Sequence, residues 1–209
     1  MNMEILQTEH RLCTCCMEVH DVKRVRYMDR VTYKDVPVDC LTEAFYCDLD
    51  DTFYVNEEMM SENSIRLRDT YRKKMGLLTT FEIKAIRTKY GITQTDLSVL
   101  LGWGGKTITR YESYQVQDKA HDTILKKIDS DPEWYLTLLC EVEKVLPEEA
   151  YKRYYAIASK LCEKQRNQYV QQGIELAKYE NVKSLLDVLP DEVIAEKIGV
   201  PLEKVLAMY

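Results

Sequence analysis

Seven cysteines are spread unevenly over the 209 residues: Cys13, Cys15, Cys16, Cys40 and Cys47 come early, Cys140 and Cys162 late. An odd count with no secretion signal ahead of it argues against a disulfide framework. The early group has the spacing of a metal site. Cys13 and Cys16 form a C-x2-C pair, which on a turn presents two thiolates to Zn²⁺, and a second knuckle about 30 residues on completes a tetrahedron. Cys47 opens that second knuckle, but Asp50 stands where its last cysteine belongs. The candidate donors are therefore Cys13, Cys16, Cys47 and Asp50, with zinc as the cofactor, since a carboxylate oxygen also ligates zinc. Cys15, Cys40 or His20 are alternative fourth donors. A site that has lost its metal is a further reading, with Val22, Val25, Tyr27, Phe45 and Phe53 supplying a modest core in its place. A nucleophilic cysteine is disfavoured: only His10 and His20 lie nearby, and no nucleophile motif surrounds either. Cys140 and Cys162 read as small apolar core residues.

The elements that must position these donors are β-type. Residues 22–38 alternate and are rich in Val and Tyr, which predicts two short strands around a turn at Asp29 or Lys34–Asp35. Phe45, Tyr46, Phe53 and Tyr54 add β-type aromatics.

Charge is distributed by segment. The net charge is −6, yet from Arg66 to Lys127 there are 13 Lys/Arg against 6 Asp/Glu. Both flanks are acidic, so a basic centre is the one segment suited to a polyanion. Ser64 to Met75 reads as a basic, weakly amphipathic helix ending at Gly76. Arg66, Arg68, Arg72, Lys73 and Lys74 are either phosphate contacts or the solvated face of a connector.

Residues 78–128 carry the clearest helical signals. Thr79 or Thr80 caps a helix with Glu82 in its first turn; Ile83, Ile86 and Tyr90 recur at helical spacing, and Gly91 ends it. Thr93 caps the next helix, which runs through Leu97, Leu100 and Leu101 to Gly102. A third, about Lys106 to Tyr114, buries Ile108 and Tyr111. A fourth, about Lys119 to Ile128, turns Ile124, Leu125 and Ile128 inward. A helix that reads DNA needs an apolar back and polar donors near its start. Lys106, Thr107, Thr109 and Arg110 meet the second need, and the planar fork of Arg110 suits guanine N7 and O6. Gln94, at the start of the preceding helix, is placed for a phosphate. Thr107 is equally readable as a helix-start residue facing the turn.

The stretch ITQTDLSVLLGWGGKTITRYE resembles the Xre/Cro-type helix-turn-helix, down to its Arg110-Tyr111-Glu112 ending. Cysteine knuckles, β-ribbon, basic linker and helix-turn-helix in that order resemble the MqsA-type antitoxins with their YgiT-type zinc finger, over roughly residues 10–130. The resemblance implies a homodimeric regulator of a toxin–antitoxin system. Such a regulator binds double-stranded operator DNA, with base readout at the positions of Lys106 and Arg110 and a structural zinc segment facing a toxin protein. This chain departs from the pattern at Asp50 and in its extension beyond about residue 130.

In that extension Pro132 starts a helix through Trp134, Leu138 and Val142 to Leu146, and Pro147 breaks it. Residues 148–180 read as one long helix or two, with a stripe of Tyr151, Tyr154, Tyr155, Ala158, Leu161 and Cys162 suited to core or to a dimer contact. Residues 191–198 and 202–208 form a helical pair poor in base-reading side chains, better read as packing.

The expected fold is mainly α with a small N-terminal β segment: a zinc-ribbon-like domain over 1–62, a linker helix with a helix-turn-helix bundle over 63–130, and a helical extension over 131–209. No run of about 18 apolar residues marks a membrane span, and the start lacks a signal-peptide pattern, so a cytoplasmic location is the default. No catalytic Ser/His/Asp or Cys/His constellation and no glycine-rich phosphate loop is readable. The expectation is a sequence-specific DNA-binding regulator and not an enzyme. A helical adaptor that kept the fold without DNA binding, or a carboxylate-metal nuclease, are the alternatives.

Overall fold

The computed structural model describes residues 3–186 and 188–208. Among these, a four-stranded antiparallel sheet in the order β1-β2-β3-β4 is followed by helices. The strands are β1 (Met3–Leu12), β2 (Val19–Tyr33), β3 (Val36–Cys47) and β4 (Thr52–Tyr54). β2 and β3 meet at Lys34–Asp35, both at positive φ (48° and 61°). That is the backbone of a two-residue hairpin turn whose twist matches the strands, and it decides between the two turn positions left open by the sequence. β1 was not anticipated. It is an edge strand that shows solvent on most of its positions, so alternation never marks it, and a bulge at Leu6 shifts its register on β2 between Ile5 and Gln7.

Helix α1 (Glu57–Lys74) starts at Asn56, whose side chain accepts from the Met59 N–H, and ends with Gly76 at φ +67°. Asn63 docks it on β3 through backbone: the Glu43 N–H donates to Asn63 Oδ1 (3.0 Å), and Asn63 Nδ2 donates to the Glu43 carbonyl (2.7 Å). The expected division at 62/63 thus falls inside a single helix.

Arg72, read from sequence as a phosphate contact or a solvated residue, is neither. It is 1% exposed. Its Nε donates to Gln117, its Nη1 to Asp69 (2.8 Å) and Thr80, and its Nη2 to the carbonyls of Tyr111 and Gln115 (2.8 Å each). A buried guanidinium persists only when paired and hydrogen-bonded, and the spacing of Lys and Arg along α1 cannot reveal such a partner set. Gln117 passes the network on to Asp122, which also accepts from the Leu78 N–H (2.7 Å).

The helices that follow are α2 (Thr80–Lys89), α3 (Gln94–Leu100), α4 (Thr107–Tyr111), α5 (Lys119–Ser130) and α6 (Pro132–Glu141). Thr79 and Glu82 form a reciprocal capping box on α2, and Thr93, Asp118 and Asp131 cap α3, α5 and α6. α4 is shorter than the expected 106–114, because the Arg110 carbonyl gathers the N–H groups of Ser113, Tyr114 and Gln115 and closes the helix. Ile83, Ile86, Tyr90, Leu97, Leu100, Ile108, Tyr111, Leu125 and Ile128 are buried as expected; Leu101 and Ile124 are half-buried. Tyr135 stacks on Tyr90 at 3.7 Å between centroids.

Helix α7 (Glu148–Leu185) is one continuous helix, within which the chain divides into two compact units, Met1–Tyr155 and Ala156–Tyr209. The expected divisions at 62/63 and 130/131 both lie in the first unit. In the stripe along α7, Tyr154, Ala158 and Cys162 are buried while Tyr155 is exposed. In the second unit, α8 (Asp191–Ile198) and α9 (Leu202–Leu206) close on α7 around Val182, Ile194 and Val205. No helix among the described residues is long and apolar enough to cross a membrane.

Candidate functional site

The cysteine knuckles lie at one end of the sheet. Residues 13–17 link β1 to β2: the Cys13 N–H donates to the Glu18 carbonyl (2.8 Å), and the Met17 N–H returns to Cys13 (2.9 Å) with Met17 at φ +63°. Residues 47–51 link β3 to β4, with Asp51 also at positive φ (48°). Each knuckle is therefore a cysteine, two residues, a second donor, and a residue in the left-handed region. Cys13 and Cys47 are fully buried beside Val22, Phe45 and Met59, with Cys15, Cys16 and Tyr54 packed against them.

The donors converge, but the fourth is not Asp50. Cys13, Cys16, His20 and Cys47 bring their ligand atoms within 4.8 Å of one another, a group that could hold a metal ion. Asp50 belongs to a second group, with Cys15 and Cys47. Cys40 lies far along β3 and contacts Thr70 of α1. His20 is on β2, two residues before the buried Val22, and the strand carries it to the cluster. The Asp21 carbonyl can only accept, so His20 Nδ1 (3.0 Å away) carries its proton there, and Nε2 is left facing Cys47 Sγ at 3.6 Å. Two donors on one tetrahedral zinc, with Zn–S about 2.3 Å and Zn–N about 2.0–2.1 Å, stand about 3.5–3.6 Å apart. The residues present fit the ion.

The electrostatics agree. Burial pushes the Cys13 thiol up, but the backbone N–H groups of Cys16 and Cys15, with His20 and Tyr54, outweigh it and hold the thiol down at about 6. Burial first, then Cys13 and Cys47 as neighbours, pushes Cys16 up to about 11. Cys13 raises the His20 imidazole above its ordinary value. The thiols and the imidazole share protons in one small volume, which is where a divalent cation displaces protons.

The residues read from sequence as DNA contacts lie on α3, α4 and the turn between them. Ser98, fully buried on α3, accepts from the Ile108 N–H (3.4 Å) and brings the two helices close. Lys106 and Thr109 are exposed. Arg110 is half-buried: its Nη2 donates to Thr107 Oγ1 (3.5 Å), and its buried Nε has no partner among the described residues. Thr107 is 7% exposed and faces inward at the start of α4, the placement its helix-start reading describes. Gln94 is half-buried, its amide donating to Glu112 (2.8 Å) and its oxygen accepting from Thr109 (3.0 Å). Glu112 also takes two bonds from Arg87, which ties α2 to the end of α4. Much of the basic surplus is spent internally in this way: Arg66 pairs with Glu43 and Glu62, Lys89 with Asp129, Lys126 with Asp122 and Lys127 with Asp131.

The chain matches no family model, no curated protein and no solved structure.

Proposed function

We propose that this protein is a sequence-specific DNA-binding regulator, of the antitoxin type that represses its own promoter, with a zinc-stabilised N-terminal ribbon. The observation that carries the reading is the α3–α4 pair. Its apolar side is sealed by Leu97, Leu100, Ile108 and Tyr111, while Lys106 and Thr109 are exposed on the other side and Arg110 is half-buried beside them. That is the division of labour a major-groove helix needs. Lys106 and Arg110 would read bases, and basic side chains of α1 left outside ion pairs, such as Arg68 and Lys73, would meet phosphate. Zinc held by Cys13, Cys16, His20 and Cys47 would supply a cross-link between the two knuckles and β2, in a segment whose own apolar core is small. A toxin would dock on the acidic ribbon or the C-terminal helices, and two chains would bind a palindromic site as a homodimer.

A second reading, a helical interaction adaptor, draws on Gln94: its amide donates to Glu112 and its oxygen accepts from Thr109, which holds the side chain within the α3–α4 pair. One mobility-shift series separates the two. The protein is titrated at low salt onto a duplex carrying its own upstream region. A regulator shifts that duplex in preference to unrelated DNA. Arg110→Ala then weakens the specific complex by about 1–3 kcal/mol, and a lysine contact to phosphate alters the salt slope by about 1. Failure of the wild-type protein to shift any duplex would leave the adaptor.

A further inference from the structure

More donors crowd the knuckles than one ion can use. Beyond Cys13, Cys16, His20 and Cys47, the side chains of Cys15 and Asp50 reach the same Cys47 sulfur, all within 4.8 Å in their own group. Cys15 Sγ donates to Asp50 Oδ2 at 3.5 Å. For Zn–S of about 2.3 Å and Zn–O of about 2.0–2.2 Å on a tetrahedral ion, the S···O separation is about 3.5–3.6 Å. Asp50 pairs with no Lys or Arg among the described residues; at this end of the sheet Lys23 is taken by Asp48 (2.8 Å) and Arg11 lies over the Phe45 ring. The Asp50 carboxylate is therefore uncommitted to any cation of the protein.

We propose that the ribbon binds two zinc-class ions, with the Cys47 thiolate bridging them: one on Cys13, Cys16, His20 and Cys47, the other on Cys15, Cys47 and Asp50 with its fourth position left to water. This rests on the reading of the first group as a metal centre. A thiolate sulfur has lone pairs enough for two metals, and Cys47 is the one residue common to both groups. Charge favours the pair. With Cys47 counted in the first centre, a second divalent ion that displaces the Cys15 S–H proton is balanced by the Cys15 thiolate and the Asp50 carboxylate, beside a site where Cys13 and Cys47 are fully buried. The two sites differ in access. Cys15 is half-buried and Asp50 exposed, so the second ion is the one that exchanges with solvent.

The test is metal stoichiometry on the full chain. The protein is dialysed to equilibrium against buffer holding a low, fixed concentration of free zinc, and the zinc bound per chain is measured as the excess over the dialysate. Two ions are expected, leaving in two phases when a chelator is titrated in. Cys15→Ser and Asp50→Ala, at partly or fully exposed positions, should each retain one ion and an unchanged circular dichroism spectrum. Cadmium-loaded protein should give two ¹¹³Cd resonances, one of which disappears in either variant. A single zinc in the wild type overturns the second site and leaves the first standing. No zinc overturns both. Two zincs that persist in both variants overturn the assignment to Cys15 and Asp50.

Discussion

Arg72 carries a full charge into the interior of the first unit and leaves none of its donors idle. A guanidinium has five N–H groups, and each finds an acceptor: Gln117, Asp69, Thr80, and the carbonyls of Tyr111 and Gln115. Those acceptors come from α1, the start of α2, and the stretch between α4 and α5, so one side chain joins the ribbon's helix to the bundle. Replacing it leaves the buried Tyr111 carbonyl and the Gln117 side-chain oxygen without that donor and removes one bond from Asp69, which keeps Thr80. Arg72→Met should cost about 3–5 kcal/mol, read from urea unfolding by the fluorescence of Trp103 and Trp134. Arg72→Lys should rescue little, because an ammonium cannot span the planar fork. A loss under about 1 kcal/mol for the Met variant would refute the role of Arg72 as the joint.

At the scale of elements, the sheet is held to α1 by a buried carboxylate. Glu43 on β3 is 3% exposed and accepts from Arg24 and Arg26 on β2, while Arg66 of α1 approaches at 3.2 Å. Burial alone would raise its carboxyl, but the arginines prevail and hold it below its ordinary 4.5. A depressed carboxyl contributes stability that is complete above the unfolded value and is lost as pH falls through the folded one. Thermal stability of the first unit should therefore decline as pH drops below 4.5. Glu43→Gln should lower the neutral-pH stability and flatten that acid limb. An acid limb identical to wild type would show that other carboxylates govern it.

Across the whole molecule, the charge pattern acquires a different meaning once partners are known. The basic centre has 13 Lys/Arg, but Arg66, Arg72, Arg87, Lys89, Lys126 and Lys127 are engaged with acidic side chains of the chain itself. The field a polyanion meets is set by the remainder, among them Lys106, so the salt dependence of DNA binding should be shallower than a count over the segment suggests. The second unit rests on a smaller core. Ile194 is fully buried between Val182 and Val205, and Ile194→Ala should cost about 2–5 kcal/mol. Hydrogen exchange should quicken at the α8 and α9 amides, and unchanged protection there would contradict the packing.

What the sequence determined by itself was local. The cap of α3 at Thr93, the cap of α2 narrowed to Thr79 or Thr80, and the glycine stops at Gly76, Gly91 and Gly102 depend on residues within a few positions of each other, whereas the hairpin turn was narrowed only to Asp29 or Lys34–Asp35. The inward faces of the helices followed from 3.6-residue spacing for the same reason. The first knuckle was legible because Cys13 and Cys16 are separated by two residues within a turn, and the second because Cys47 opens a segment of the same spacing that ends on Asp50. Tertiary structure decided whatever needed two distant segments to meet. The register of β2 on β3, not spacing, brings His20 to Cys47 and gives Asp50 to Cys15. Three long-range partners, Gln117 and the carbonyls of Tyr111 and Gln115, turn Arg72 from a surface cation into the joint of the first unit. Gln94 and Thr107 turn inward because α3 and α4 pack closely at Ser98. A pattern along a chain specifies which face of an element is apolar. Only the packed fold specifies which polar groups on it remain free to act.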